Sequence, residues 1–359
     1  MRKYRDPLFA PEPKSHTTLV FILLLLIIFL ATVLVLNHIN NNRVNLAVQS
    51  VTVPSLTAAM NNYRILHISD LHGQFFGAHQ ERLQLAIANA RYNIVVITGD
   101  VTGKNGNYDA FLTLLDLFNP SKTPVYFIPG DEDPAPIESA PNGSESAKAE
   151  YIRAAEAKGA IYLDAPERID FGKNAIWLWP ERIYTLDVGN SEATVSTRMT
   201  ELENEPPSPE RDAALRAVKY HADLLARIRA ARRITKADDI HIAVTHHPLS
   251  LDALTTLREW TDSGNDAYVS SVSLVLAGHY NGGQWRLPFV GAVKVPASAG
   301  KGSGWFPGDM GVVGLSSYQG IPQYISPGLG ASSVIGLPAF RLFNTPQVTQ
   351  IILTTRMTN

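Results

Sequence analysis

Nineteen consecutive residues, Thr18 to Leu36, carry no charge, no glycine and no proline. At about 1.5 Å per residue, a helix of that length nearly matches the roughly 30 Å hydrocarbon core of a bilayer. A helix packed into a soluble core is rarely apolar on every face for so long. The run therefore divides the chain into a segment suited to lipid and a remainder that must build its own core. Arg2, Lys3, Arg5 and Lys14 precede it, and Arg43 is the only Lys or Arg between it and Met60. This asymmetry predicts a cytoplasmic N-terminus and an exported remainder. A cleaved signal peptide is the competing reading. Its apolar region would be unusually long, and no small-x-small cleavage site follows directly. The expected organisation is a cytoplasmic tail over 1–17, a single-pass signal anchor over 18–36, a linker over 37–61 and one domain over 62–359. Within the linker, VNLAVQSVTV alternates well enough to be an edge strand instead.

The remainder has no cysteine, so a disulfide framework and a thiolate zinc site are both excluded. The whole chain's 31 basic and 33 acidic residues leave a net charge of −2. Nucleic-acid binding driven by bulk positive charge is not expected. From Asn62 on, short β-rich runs alternate with helical patterns. Tyr63–Ser69, Asn93–Thr98 and Pro124–Pro129 read as strands, separated by helices over His79–Arg91 and Tyr108–Phe118. This βαβα rhythm predicts a largely parallel sheet with covering helices. Later strands are expected at Ile161–Leu163, Ala175–Trp179, Ile240–Thr245, Ser273–Ala277 and Gln347–Thr354. Ser208–Ile234 reads as one long helix, with Ser208 as N-cap, Pro209 in the first turn and arginines late. Its basic end reads as a dipole-matched, solvated terminus, with contact to anionic lipid as the alternative. Gly291–Gly336 reads as loops and tight turns with strand-like pieces such as IPQYIS.

Polar clusters follow five of the strands. They are Asp70-Leu71-His72, Gly99-Asp100-Val101-Thr102-Gly103, Gly130-Asp131-Glu132-Asp133, His246-His247-Pro248 and Gly278-His279-Tyr280-Asn281. Ligands in α/β sheets bind outside the carboxyl ends of the strands. Three acids (Asp70, Asp100, Asp131) and three imidazoles (His72, His246, His279) should therefore converge on one rim. Unpaired carboxylates so placed would repel one another, and divalent cations are the simplest remedy. Mixed Asp/His ligation suits Zn, Mn, Fe and similar ions, and a carboxylate shared by two metals suits in-line displacement at phosphorus. Taken singly, D-x-H, Gly-Asp and His-His-Pro are more readily turn and strand-end features; five in order, each after a β-run, are not.

The ordered set DLH, GDVTG, GDED, THHP and GHYN resembles the signature of the calcineurin-like metallophosphoesterases, and GGQWRLPFVG with the ending YISPGLGASSVIGLPAFRLFNTPQVTQIIL is similar to their membrane-anchored bacterial phosphodiesterase branch. The resemblance spans about residues 62–356. It implies an α/β fold, a β-sandwich of two mixed sheets flanked by helices, here with one N-terminal transmembrane helix. It implies two divalent ions, from Mn, Fe, Zn or Mg. Asp70 and His72 would hold one, Asp100 would bridge both, and Asp131, His246 and His279 would hold the second. Asn281 stands where the family places a His on the first metal, Asp131 where it has Asn, and Glu132 where it has a His near the transferring phosphoryl group. An ionised Glu132 would repel a phosphate; a protonated one could act as general acid, with His247 as the other candidate proton donor. More carboxylate and fewer imidazoles tilt the expected ion towards Mn, Mg or Ca over Zn. Tight stoichiometric zinc in the purified protein would overturn that.

The expected function is a membrane-anchored phosphoesterase acting through a metal-bridging hydroxide on a phosphodiester or pyrophosphate. Its substrate is a phosphorylated small molecule or a lipid-linked one, on the extracytoplasmic side of a bacterial cytoplasmic membrane. The alternative is a catalytically degenerate member serving as an exported metal- or phosphate-ligand sensor or scaffold, supported by Glu132 and Asn281.

Overall fold

The computed structural model describes residues 17–141, 143–262, 272–296, 304–307, 311–333 and 339–355. The basic residues expected in the cytoplasmic tail lie outside the described residues. Helix α1 (Thr17–Asn41) contains the apolar run, and its apolar window is wholly unburied. It is long and apolar enough to cross a membrane; a signal sequence would have the same character.

The expected linker is not a spacer. Helix α1 continues to Asn41, and β1 (Asn45–Thr52) follows almost at once, pairing in parallel with β15 (Gln347–Thr354). The alternating pattern there was an edge strand, because its inward residues Val51 and Val53 close the core. The end of α1 docks as well. Asn37 and Asn41 each donate to the Arg341 carbonyl, at 2.8 and 2.7 Å, and Asn37 accepts from the Phe343 N–H at 3.0 Å. No slack separates the apolar helix from the domain.

Two six-stranded mixed sheets form the body. The first runs β1-β15-β2-β3-β4-β5, with β2 (Arg64–Ile68), β3 (Ile94–Thr98), β4 (Val125–Ile128) and β5 (Ile161–Tyr162) parallel to one another. The second runs β13-β14-β9-β8-β7-β6. It comprises β6 (Glu167–Phe171), β7 (Asn174–Pro180), β8 (Ile240–Val244), β9 (Leu274–Ala277), β13 (Gly314–Tyr318) and β14 (Ile321–Ile325). A small third sheet joins β10 (Trp285–Leu287), β11 (Gly291–Val295) and β12 (Gly304–Trp305).

The central strands are apolar throughout because both faces are covered. In β2 and β3, Ile65, Ile94 and Val96 face the other sheet, packing with Ile242, Val244 and Leu276. Their neighbours Leu66, Val95 and Ile97 face outward, onto α2 (Glu81–Ile87) and α3 (Asp109–Leu115) through Leu83 and Phe111. Helix α4 (Glu150–Ala157) adds Ile152 to that layer. On the far side, Trp177, Trp179 and Val275 pack against α6 (Pro209–Ile234) and α7 (Leu251–Asp262). The β-sandwich of two mixed sheets flanked by helices that the resemblance implies is what the chain forms, and the largely parallel sheet of the βαβα rhythm is one of its halves.

Helix α6 begins as expected, with the Ser208 side chain accepting from the Arg211 N–H. Helix α5 (Val188–Asn204), rich in Ser and Thr, has weak intrinsic preference and is held by packing on α6. Three arginines at the basic end of α6 have partners within the chain, while Arg233 is exposed. Arg227 pairs with Asp164 and Asp223, Arg229 with Glu192, and Arg232 donates to three carbonyls of residues 183–186.

Candidate metal centre

Because β2, β3 and β4 are parallel in one sheet and β8 and β9 in the other, their carboxyl ends open on one rim. Asp70 and His72 follow β2, Asp100 follows β3, Asp131 follows β4, His246 follows β8, and His279 and Asn281 follow β9. Five of these residues, Asp70, His72, Asp100, His279 and Asn281, have positive φ angles between 47° and 73°. Backbone in that region costs free energy for a non-glycine residue and tends to persist at functional sites. It turns each side chain back across the rim. Two glycines make room. A Cβ on Gly130 would lie 2.1 Å from Asp100 Oδ1, and one on Gly328 would lie within 3.3 Å of both Asp70 Oδ2 and Asn281 Oδ1.

Two groups of ligand-capable atoms result, one of Asp100, Asp131, His246 and His279, the other of Asp70, His72 and Asp100. Within each, the atoms lie within 4.8 Å of one another, and Asp100 belongs to both. In the first group, His246 Nε2 is 2.7 Å from Asp131 Oδ1 and 3.2 Å from Asp100 Oδ2. His279 Nδ1 is 3.1 Å from Asp131 Oδ1 and 3.3 Å from His246 Nε2. The Thr98 carbonyl, 2.7 Å from His246 Nδ1, can only accept, so Nδ1 carries the proton and Nε2 faces the cluster. In the second group, His72 Nε2 lies 3.8 Å from Asp100 Oδ2. The His279 backbone N–H donates to Asp70 Oδ1 at 2.8 Å and ties the groups together.

The donor set fits divalent cations. Asp70 Oδ2, His72 Nε2 and Asn281 Oδ1 are buried and have no hydrogen-bond partner among the described residues. Buried polar atoms are normally paired, and three such atoms turned into one pocket call for a cation. The electrostatics agree. Burial is the largest influence on Asp70 and raises its carboxyl above the ordinary range. Burial would also depress His246, but Asp100 and Asp131 outweigh it and hold the imidazole well above its usual value. Against the same burial penalty, Glu132 and Asp100 raise His72, and hydrogen bonds from His246 and His279 pull Asp131 far down.

Glu132 and His247 stand at opposite ends of the pocket. Glu132 donates its backbone N–H to Asp100 Oδ1 at 2.9 Å, and its half-exposed carboxylate lies 3.1 Å from His72 Nδ1. His247 Nε2 is 3.7 Å from Asp131 Oδ1, and its ring lies 4.1 Å from that of His279. Burial, then His279 and His246, lower its pKa. A cleft of about 750 Å³ opens beside His72 and Glu132, walled by Lys104, Ser332 and Ala339.

Two supporting residues escaped the sequence reading. Asp133 accepts from the N–H groups of Val101, Thr102 and Gly130, at 3.2, 2.7 and 2.8 Å, and so fixes the two acidic loops relative to each other. Its signal was a third acid in the run GDED. Buried Arg341 donates to the carbonyls of Pro327, Gly330 and Asn344, while Asn344 donates to the Asn281 carbonyl at 2.7 Å. Its signal was a lone cation in an apolar terminal stretch.

No curated protein matches the chain. Among solved structures it is similar to the phosphopantetheinyl hydrolase PptH from Mycobacterium tuberculosis, with 15% identity over 75% of this chain and 91% of that one, at a TM-score of 0.33. That likeness is too distant to carry a substrate across. The sequence pattern of the calcineurin-like phosphoesterases is matched over residues 63–281, more than half of the chain, and the chain belongs to that family.

Proposed function

We propose that the protein is a membrane-anchored, divalent-metal-dependent phosphoesterase that hydrolyses a phosphodiester or pyrophosphate on the extracytoplasmic side. The observation that carries this reading is the pair of ligand groups sharing Asp100. When bound, two divalent ions supply an activated water and neutralise charge developing at phosphorus. Asp100, Asp131, His246 and His279 would hold one ion, and Asp70, His72, Asp100 and Asn281 the other. The Thr98 carbonyl presents His246 Nε2 to the cluster. Glu132, its carboxylate 3.1 Å from His72 Nδ1, would orient that ring by charge from its far nitrogen. We take His247, partly exposed beside Asp131, as the proton donor to the leaving oxygen. The oxygen-rich first position favours Mn or Mg over Zn.

Glu132 also supports a second reading, a degenerate member that binds a metal or phosphorylated ligand without turnover, since an acid beside the cleft repels phosphate. The test is hydrolysis of a bis-aryl phosphate by the full chain with added Mn, beside Asp100→Ala. Metal-dependent turnover lost in the variant supports the enzyme. Equal inertness across metals and substrates, with activity appearing only on Glu132→His with Asn281→His, supports degeneracy.

A further inference from the structure

The small sheet β10–β12 displays large apolar side chains to solvent. Leu287, Phe289, Val290, Trp305 and Phe306 are all exposed, Phe289 completely. Five large apolar side chains exposed on one three-stranded sheet, with Trp305 and Phe306 rings 6.5 Å apart, suit an interaction site. The chain spends conformational energy to display it, for Phe289 and Phe306 have φ of 66° and 53°, where a bulky residue is an outlier.

The sheet is joined to the exit of α1. Residue Leu342 bridges Trp285 of β10 in parallel, and Trp285 stacks on Phe340 at 5.3 Å. Phe340 and Phe343 are themselves exposed, and the segment 341–343 carries the Asn37 and Asn41 hydrogen bonds. Asn37 is the first polar residue after the apolar run. With Asn37 at the end of the hydrocarbon, residues 340–343 and the sheet beside them lie at headgroup level. The charge suits an anionic surface. Strands β10, β11 and β12 hold two cations, Arg286 and Lys294, and no acid. Lys294 lies over the Trp305 ring at 5.3 Å, a cation beside an exposed aromatic.

We propose that β10–β12 with residues 340–343 forms a second bilayer contact, its aromatics seated among the headgroups of anionic phospholipid beside the exit of α1. This rests on the reading of α1 as a membrane anchor. Two attachments fix the domain's tilt, which one helix alone does not. They also bring the cleft wall at Ala339, next to Phe340, against the membrane. The substrate class that fits is a phosphoester carried on a lipid, presented from the bilayer plane.

The chain has no cysteine, so a single introduced one gives a unique label. Phe289→Cys, Phe306→Cys, Leu26→Cys in α1 and Lys173→Cys in the exposed β6–β7 turn are each labelled with an environment-sensitive fluorophore. The full chain is used in vesicles containing phosphatidylglycerol. The expected result is that lipid-borne nitroxide quenches labels at 289, 306 and 26 several-fold more than at 173, while an aqueous nickel chelate quenches 173 most. Labels at 289 and 306 behaving like 173, with 26 in lipid, overturn the contact and leave the anchor standing. A label at 26 that is aqueous or lost from the chain removes the anchor and the contact with it. Disulfide-linked dimers through position 289 assign the surface to a second copy and overturn the lipid assignment. Folding is tested separately with Phe289→Asn, since Asn accepts the left-handed backbone more readily than Phe. That variant should keep its thermal stability and lose the preference for anionic vesicles.

Discussion

Strands β2 and β8 each lead to two buried histidines five positions apart, and the members of each pair live in opposite chemistries. His67 and His241 sit within the strands. Burial lowers the pKa of His67 to about 3 and that of His241 to about 4, so both stay neutral. His67 has a hydroxyl partner, Thr98, at 2.9 Å, whereas neither ring nitrogen of His241 makes a hydrogen bond. His72 and His246 lie just past the strand ends, their side chains only 4% and 5% exposed, yet surrounding carboxylates raise both. Residue type and burial are the same, and only the position relative to the strand end differs. The sandwich interior accepts an imidazole as a flat, neutral filler; the rim makes it a partner for charge.

The strongest way to break this contrast is to remove the rim's shared carboxylate. Asp100→Asn leaves both ligand groups short of a charge and weakens the pairing that raises His246. Mn-dependent diester hydrolysis should fall by about three orders of magnitude, roughly 4 kcal/mol of transition-state stabilisation. The fold should persist, because an amide oxygen can still accept the Glu132 N–H. Steady-state kinetics beside a circular dichroism spectrum checks both halves.

The core side of the contrast is tested by acid. A histidine with a lowered folded pKa contributes fully above its unfolded value near 6.5. Below that the unfolded chain takes up a proton that the folded chain refuses. Stability falls as pH drops towards the folded pKa, by about 1.4 kcal/mol per unit for each such group. His241→Phe should therefore flatten the pH dependence of urea unfolding of the metal-free protein between 6.5 and about 4, the lowered value of this histidine. The gain near the acid end is about 3 kcal/mol. Phe suits the place, since His241 packs beside Trp179 and Tyr184. An unchanged slope would show that His241 is protonated in the fold.

At Asp70 the rim should show a sign that a merely structural acid would not. Its Oδ2 makes no hydrogen bond, and burial raises its pKa, so the carboxylate is a strained occupant until a cation arrives. Asp70→Asn keeps the shape and the Oδ1 acceptor for the His279 N–H. The metal-free variant should melt no lower than the parent, while saturating Mn should stabilise it less. A site filled to a hundred times its dissociation constant contributes about 2.7 kcal/mol, and that increment is what the variant should lose in part. Calorimetric scans with and without Mn give both numbers.

The contrast also explains what was readable from residues alone. The rim could be located because each of its motifs ends a strand whose apolar run is unmistakable, such as NIVVIT before Gly99-Asp100. The second sheet was harder. Strand β6 is only half-buried, and β13, like β11 and β12 of the third sheet, lies in a glycine-rich stretch with little alternation. Helix α5 has a composition that only its packing partner makes helical. Docking of α1 depended on Asn37 and Asn41 meeting backbone groups about 300 positions away, a relation that no local pattern encodes. The role of Asp133 was hidden for the same reason, as its three donors come from two different loops.

The smallest expected effect concerns Asn281, where the rim carries an amide at the position the family gives to an imidazole. Its Oδ1 is buried without a hydrogen bond and shares with Asp70 the space opened by Gly328. An amide oxygen is a weak, hard donor, so this half of the centre should bind its ion less tightly and prefer Mn or Mg. Asn281→His replaces that oxygen with an imidazole nitrogen, a donor suited to zinc. The backbone there has φ of 50°, which His tolerates less well than Asn, so some of the gain is offset. The net result should be about tenfold tighter zinc binding at one of two sites, near 1.4 kcal/mol, with Mn affinity little changed. Isothermal titration of the metal-free protein with each ion separates the cases. Equal gains for zinc and Mn would show that Asn281 limits the site by its size rather than by its donor atom.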